Sequence, residues 1–258
     1  MDALILAGGG QDPADPLYPL LQGKPKALLD IHGKPMVQWV LDAVSGSQQI
    51  NHIVVVGLDE SSGITCRRAL SFLPDQGDMI SNIIKGGQEA ERLNQKPGHC
   101  LIIASDIPTI TTEMVDWEIE TIQDTDYDLY YNLIERSVME KRFPGSRRSY
   151  YRLRDVEICG GDLNAIHTSF TSNLNPVWKK LVKNRKNAFK QAVIIGFDTL
   201  FLFAFRLLTT QSAEKWLSRR LKMRGKVILN PYAETGMDVD KPYQLESIRQ
   251  DIQARTGK

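Results

Sequence analysis

"LILAGGGQDPADPLYPLLQGKPKALLDIHGKP", residues 4–35, is the stretch whose reading decides the fold. An apolar run ends in Gly8, Gly9 and Gly10, and three adjacent glycines let backbone N–H groups converge on an anion. No helix follows directly. Pro13, Pro16, Pro19 and Pro25 interrupt the chain, and positive charge returns only at Lys24 and Lys26. The triphosphatase loop needs Gly-Lys-Ser/Thr entering a helix, and the dinucleotide fingerprint needs three spaced glycines entering one. Neither is present.

Outward from this loop the chain alternates. Ala3–Leu6, His52–Val56 and Cys100–Ala104 are apolar runs bounded by turn residues, the pattern of strands buried on both faces. Met36–Val44 follows Lys34-Pro35, with apolar positions 36, 37, 40, 41 and 44 on one helical face. Thr111–Ile122 repeats this after Pro108, with Thr111 or Thr112 as N-cap. Strand, helix, strand, helix predicts an α/β fold, a mostly parallel sheet with helices on both faces. Beyond about residue 125 the pattern predicts strands at 128–134, 149–159 and 162–167. It then predicts helix over about 173–224, a short strand at 226–230 and a terminal helix from about Tyr243. The reading is one domain, 1–258, with a helical insertion at about 173–224.

Composition narrows the partners. The 258 residues carry a net charge of +1, with 42% hydrophobic and 24% charged residues, ordinary for a globular protein. Three cysteines (66, 100, 159) without metal-like spacing read as reduced thiols of a cytoplasmic protein. Four scattered histidines argue against a histidine-built metal site. The immediate entry into a strand argues against a signal peptide. Val193–Leu208 is strongly apolar but carries Asp198 and Arg206, and falls short of the ~20 residues of a spanning helix.

Two further stretches carry chemistry. In "LIIASDIPTIT", residues 101–111, Asp106 sits just past a buried strand, where open α/β sheets bind ligands and a carboxylate can hold Mg²⁺. In "ETGMDVDKPYQLE", residues 234–246, Asp238 and Asp240 alternate across an extended piece. One of them can join a site, leaving the other to cap the helix after Pro242.

The blocks "LILAGG", "KPKALLDIHGKPMVQWVLDAV" and "SDIP", followed by Asp-Val-Asp-x-Pro, together resemble the nucleotidyltransferases of the GT-A-like superfamily. The likeness is nearest to the MobA-like (molybdenum-cofactor guanylyltransferase-like) NTP transferases, over residues 1 to about 170 and 226–250. It implies a three-layer α/β/α sandwich with a C-terminal helical elaboration. It also implies Mg²⁺-dependent transfer of a nucleoside monophosphate from an NTP to a phosphorylated acceptor, with release of pyrophosphate. Leu6, Ala7, Gly8, Gly9 and Gly10 would bind the nucleotide. Lys26 would neutralise charge at the α-phosphate, and Asp106 with Asp240, or Asp238 as the second choice, would hold the metal. "DQGDMISNIIKGG" would read the base through Gly77 and Asn82, and "GGDLNAI" would line the acceptor site with Gly161 and Asp162.

One departure stands out. The superfamily loop usually reads Gly-x-Gly-x-Arg, whereas "GGGQDPADPLY" has no arginine and places Asp12 and Asp15 there. Lys24 is the expected replacement. The other classes compatible with the motifs are a GT-A glycosyltransferase using a nucleotide sugar and a non-catalytic nucleotide-binding protein.

Two basic stretches remain. "EKRFPGSRRSYYRLRD", residues 140–155, offers Arg147 and Arg148 as a clamp for the acceptor's phosphate, since guanidinium forks suit phosphates. One short patch on a near-neutral chain argues against nucleic acid. Residues 179–190 place a basic run before the apolar segment, so 179–208 is read as domain packing, a homodimer interface or a weak membrane-surface contact.

Overall fold

The computed structural model describes residues 1–9, 12–123, 125–172 and 209–257, with 176, 177 and 180. In chain order its elements begin with β1 (Asp2–Leu6), α1 (Tyr18–Leu21), β2 (Asp30–Ile31), β3 (Lys34–Pro35), α2 (Met36–Gly46), β4 (His52–Val56) and β5 (Ala69–Leu73). There follow α3 (Met79–Asn94), β6 (His99–Ala104), α4 (Thr112–Ile122), β7 (Leu129–Glu135), α5 (Arg136–Arg142), β8 (Tyr151–Arg152) and β9 (Glu157–Gly160). The remaining elements are β10 (Leu163–His167), α6 (Ser169–Ser172), α7 (Thr210–Leu221), β11 (Gly225–Leu229) and α8 (Pro242–Thr256).

The three expected apolar strands form the centre of the main sheet. β1 lies parallel to β4 on one side and to β6 on the other, with Leu6 opposite Val56 and Ala104. The full order is β5-β4-β1-β6-β10-β7-β9-β8, with β11 beside β7. The sheet is parallel from β5 to β6; β10 runs antiparallel to β6 and opens a mixed half. β9 and β10 pair opposite ends of β7, and the kink between them falls at Gly161-Asp162. The predicted strand over 149–159 is in fact a hairpin, β8 and β9, closed by Leu153 N–H donating to the Val156 carbonyl at 2.8 Å.

Side chains alternating along β1 fill two different layers. Ala3 and Ile5 face α2 and α4 with Val37, Val40, Leu41, Val115 and Ile119, all fully buried or nearly so. Leu4 faces the other way, in a cluster with Val54, Ile102 and Ala90 of α3. This is the expected α/β/α sandwich, and each such side chain contributes about 1.5–3 kcal/mol by leaving water. α3 packs very close: a Cβ at Gly86 would lie 2.3 Å from Leu4 Cδ1. A third cluster joins α5 and α8 to the proline-rich excursion through Leu17, Ile31, Met139, Val239 and Ile248.

Several expectations change locally. Thr111 has N-cap backbone geometry but its side chain makes no capping bond; Thr112 Oγ1 instead donates to the Ala43 carbonyl at 2.9 Å, tying α4 to α2. Asp238 does not cap α8, whose N-cap is Lys241. Of the helix predicted over 173–224, Thr210–Leu221 is helical, and the chain from Gly225 is already strand. Residues 173–208, apart from 176, 177 and 180, lie outside the described residues.

Candidate active site

The site is built where β1, β4 and β6 end together. Ala7 N–H donates to the Val56 carbonyl at 2.8 Å and Ser105 N–H to the Leu6 carbonyl at 3.0 Å, so the three strand ends leave the sheet side by side. The glycine loop departs from β1 here. Gly57 crosses it with φ +103°, and a Cβ there would lie 2.3 Å from Gly8 N. A Cβ at Gly8 would meet Asp75 Oδ1 at 2.7 Å. Only backbone without side chains fits this crossing.

Asp75 and Asn82 form the wall beyond the loop. Asn82 Nδ2 donates to Asp75 Oδ1 at 2.8 Å, and its Oδ1 accepts Gln76 N–H at 2.7 Å. Gly77 N–H donates to the same Asp75 oxygen at 3.1 Å. Asn82 is buried in the first turn of α3, which is capped by Asp78 accepting Ser81 N–H.

Opposite this wall, Lys26 opens a short 3₁₀ turn directly after Pro25. Its Nζ donates to Asp106 Oδ2 at 2.7 Å and to Asp240 Oδ1 at 2.6 Å. Burial lowers the Lys26 pKa, but the attraction and hydrogen bonds of Asp106 and then Asp240 outweigh it and leave the ammonium above its ordinary value. Val239 N–H donates to the Asp106 carbonyl at 2.9 Å, which fixes the 238–240 segment against the end of β6. Positions two apart on an extended piece share a side, so the expected separation of the two carboxylates does not hold: Asp240 reaches Lys26, while Asp238 lines the cleft and pairs with Arg148.

Asp162 completes the floor. Its carbonyl accepts Ala104 N–H at 2.9 Å and its N–H donates to the Thr235 carbonyl at 2.7 Å. Burial pushes its carboxyl up to about 7, helped by the Asp106 charge and opposed by Arg148. These residues enclose a cleft of about 420 Å³. An apolar cavity of about 300 Å³, with Ile80, Ile83, Ile166 and Phe170 in its wall, adjoins it and shares Leu6, Met79, Ala104 and Asp162.

Among the described residues no group of three or more His, Cys, Asp or Glu side chains is placed to hold a metal ion. A hard divalent cation would rest on two carboxylates, Asp106 and Asp240, and on substrate oxygens. Two oxygens within 2.7 Å of one point beside an open cleft suit such a cation.

A glycine loop at the strand ends facing two carboxylates and a lysine is a phosphate-handling arrangement. The family model described as the MobA-like NTP transferase domain matches residues 3–155. The chain belongs to this family. Ribitol-5-phosphate cytidylyltransferases of Streptococcus agalactiae serotypes Ia and V are 29% identical to this MobA-like NTP transferase over 114 residues, 40% of this chain and 47% of theirs. The chain thus spans about half the length of the curated relatives it matches. A hypothetical transferase structure from Thermus thermophilus superposes with a TM-score of 0.77 at 29% identity, over 95% of this chain and 98% of that one. CMP:2-keto-3-deoxy-manno-octonic acid synthetase complexed with CTP superposes with a TM-score of 0.60 at 13% identity, over 99% and 100% of the two chains. The 4-diphosphocytidyl-2C-methyl-D-erythritol synthase of Anaerococcus prevotii gives 0.60 at 11%, over 98% and 97%. At these lower identities the likeness is one of fold.

In this MobA-like NTP transferase, Leu6, Ala7, Gly8, Gly9, Lys26, Gly77, Asn82, Asp106 and Asp162 all line the one cleft, and Asp240 joins it through Lys26. Gly10 lies outside the described residues. Lys24, the expected replacement for the arginine, instead lines a separate depression of about 180 Å³ with Leu20 and Pro25. Gly161 is buried, and a Cβ there would lie 3.0 Å from Asn132 Cβ, which makes it a packing position. Arg147 is exposed, in the left-handed region at φ 53°, with its guanidinium 5.3 Å from the Tyr243 ring centre. Arg148 is committed to Asp238. Sequence reasoning gave Asp75 no role although it opens the block "DQGDMISNIIKGG", and counted Asp15 only as a negative charge in the loop; both line the cleft. No described helix is long and apolar enough to cross a membrane.

Proposed function

We propose that the protein is a Mg²⁺-dependent nucleotidyltransferase that moves a nucleoside monophosphate from an NTP, in the first instance CTP, to a phosphorylated sugar or polyol. The observation that carries this reading is the convergence of Lys26, Asp106 and Asp240 within 2.7 Å at the floor of the glycine-loop cleft. Backbone N–H groups of the loop hold the triphosphate, and the Asp75–Asn82 wall receives the base. Asp106 and Asp240 would hold Mg²⁺, which supplies charge stabilisation to the phosphates when bound. Lys26 offsets charge at the α-phosphate.

An oxygen of the acceptor's phosphate attacks the α-phosphorus, the bond to the β-phosphate breaks, and pyrophosphate leaves. That nucleophile is already ionised at neutral pH, so the chain has no proton to remove. Its work is alignment and charge neutralisation. Asp162, at the junction of the two cavities, and Arg148 beside it lie on the acceptor's side of the cleft.

The test is incubation with each of the four NTPs, Mg²⁺ and a set of phosphorylated polyols and sugars beginning with ribitol 5-phosphate, reading pyrophosphate. Release that depends on acceptor supports the reading. Asp106→Asn is expected to lower turnover by at least about 10²-fold, the scale of a lost preorganised charge contact. Unchanged turnover in that variant would remove the site from the mechanism.

A further inference from the structure

Lys26 occupies the very position that the metal reading requires. Its Nζ is 2.7 Å from Asp106 Oδ2 and 2.6 Å from Asp240 Oδ1, so an ammonium sits between the two carboxylates. A divalent cation held by both of those oxygens would have to lie between them, where the ammonium now is. The two cannot be there together.

We propose that Lys26 is the resident cation of the nucleotide-free site, and that metal enters only as Lys26 is drawn off onto the nucleotide's phosphates. This rests on the reading of Asp106 and Asp240 as the metal-holding pair. Without any cation the floor would place two carboxylates side by side, with Asp162 behind them. The lysine neutralises part of that charge through two charge-assisted hydrogen bonds. Mg²⁺ gives up its water reluctantly and must also displace this ammonium, so metal alone competes poorly. A nucleotide changes both sides of the exchange. Its phosphates give the lysine a new anionic partner, and their oxygens complete the shell of the metal. Lys26 is suited to the move, because its ammonium is carried on a flexible four-carbon stem from a turn fixed by Pro25. Its side chain is 14% exposed and lines the cleft, so the phosphates lie within its reach. Metal and nucleotide therefore bind with positive, reciprocal coupling whose origin is one side chain.

The measurement is Mn²⁺ binding by electron paramagnetic resonance, without nucleotide and then with a non-hydrolysable NTP analogue. Wild type is expected to bind Mn²⁺ alone at least tenfold more weakly than Lys26→Met, and to gain much more affinity from the analogue than the variant does. Lys26→Gln, which keeps a neutral donor, serves if the methionine variant does not fold. Lys34→Met makes the same charge change at a residue paired with Asp42, and should leave Mn²⁺ binding within twofold of wild type. The proposal is overturned if removing Lys26 leaves Mn²⁺ binding unchanged or weaker, or if Lys34→Met tightens it equally. Either outcome is separate from the pyrophosphate assay. Turnover with no tightening sinks the lysine exchange alone, and tightening without turnover sinks the catalytic reading alone.

Discussion

Glu118 carries a pH response of its own, in the same window as Asp162. It is fully buried on α4, where one oxygen accepts from Asn132 Nδ2 at 2.8 Å and the other has no partner among the described residues. Burial pushes its carboxyl from 4.5 up to about 7, against the Asn132 hydrogen bond. A carboxylic acid with a raised native pKa holds its proton more tightly folded than unfolded. Its contribution is therefore neutral below about pH 4.5, where both states are protonated, and becomes a growing penalty as pH rises to 7 and beyond. Fully developed, the penalty is on the order of 3 kcal/mol, at 1.36 kcal/mol per unit. Glu118→Gln keeps the acceptor for Asn132 and removes the titration. Urea unfolding from pH 5 to 8 should fall with pH more steeply for wild type than for the variant, with the gap widest at pH 8. Parallel curves would show that Glu118 is not the group responsible.

At the scale of elements, what was legible in the sequence follows from how cleanly each segment repeats. β1, β4 and β6 are buried on both faces, so continuous apolar runs betray them, and α2 and α4 carry regular apolar stripes. β5 and α3 went unread. β5 lies at the edge of the sheet and is only partly buried, so nothing forces its sequence to be uniformly apolar. α3 contains Gly86-Gly87, which reads as a breaker, yet both glycines are there for contact: a Cβ at Gly87 would lie 2.7 Å from Thr171 Cγ2. α5, "RSVMEKR", buries a single residue, Met139, and its charges hide it. The close seat of α3 on β1 gives a direct test. Gly86→Ala drives a methyl into Leu4 and should cost about 1–3 kcal/mol, the usual range for overpacking. Gly98→Ala, which meets no atom within 4 Å, is the control and should leave the melting temperature nearly unchanged. Equal melting temperatures for both variants would mean that α3 can shift outward at little cost.

Across the whole molecule, the candidate site is shared between distant parts of the chain. The glycine loop, Lys26 and Asp106 come from the stretch that the family model matches, and their blocks made them legible. Asp240 was legible too, from Asp-Val-Asp-x-Pro. The pairing of Arg148 with Asp238 was not, since neither periodicity nor spacing connects positions so far apart. Asp240 is held in place by the cluster that contains Val239, Ile248 and Ile252, all fully buried. Ile248→Ala should therefore cost about 2–5 kcal/mol. Hydrogen exchange at pH 7 is expected to speed by a similar factor in β1 and in 233–256, because the bond from Val239 N–H to the Asp106 carbonyl ties the separate cluster of 233–256 to the central strands. A loss of protection confined to 233–256 would show that the C-terminal part opens alone. The same sheet has a further property. His167 N–H donates to the Asp128 carbonyl at 2.9 Å, Asp128 N–H donates to the Arg224 carbonyl at 2.7 Å, and Arg224 N–H returns to the Asp128 carboxylate at 2.6 Å. The excursion from 168 to 224 thus leaves and rejoins the sheet at a single residue. Asp128 is thus the clasp of this stretch: its carbonyl, N–H and carboxylate hold both ends of 168–224 against β7.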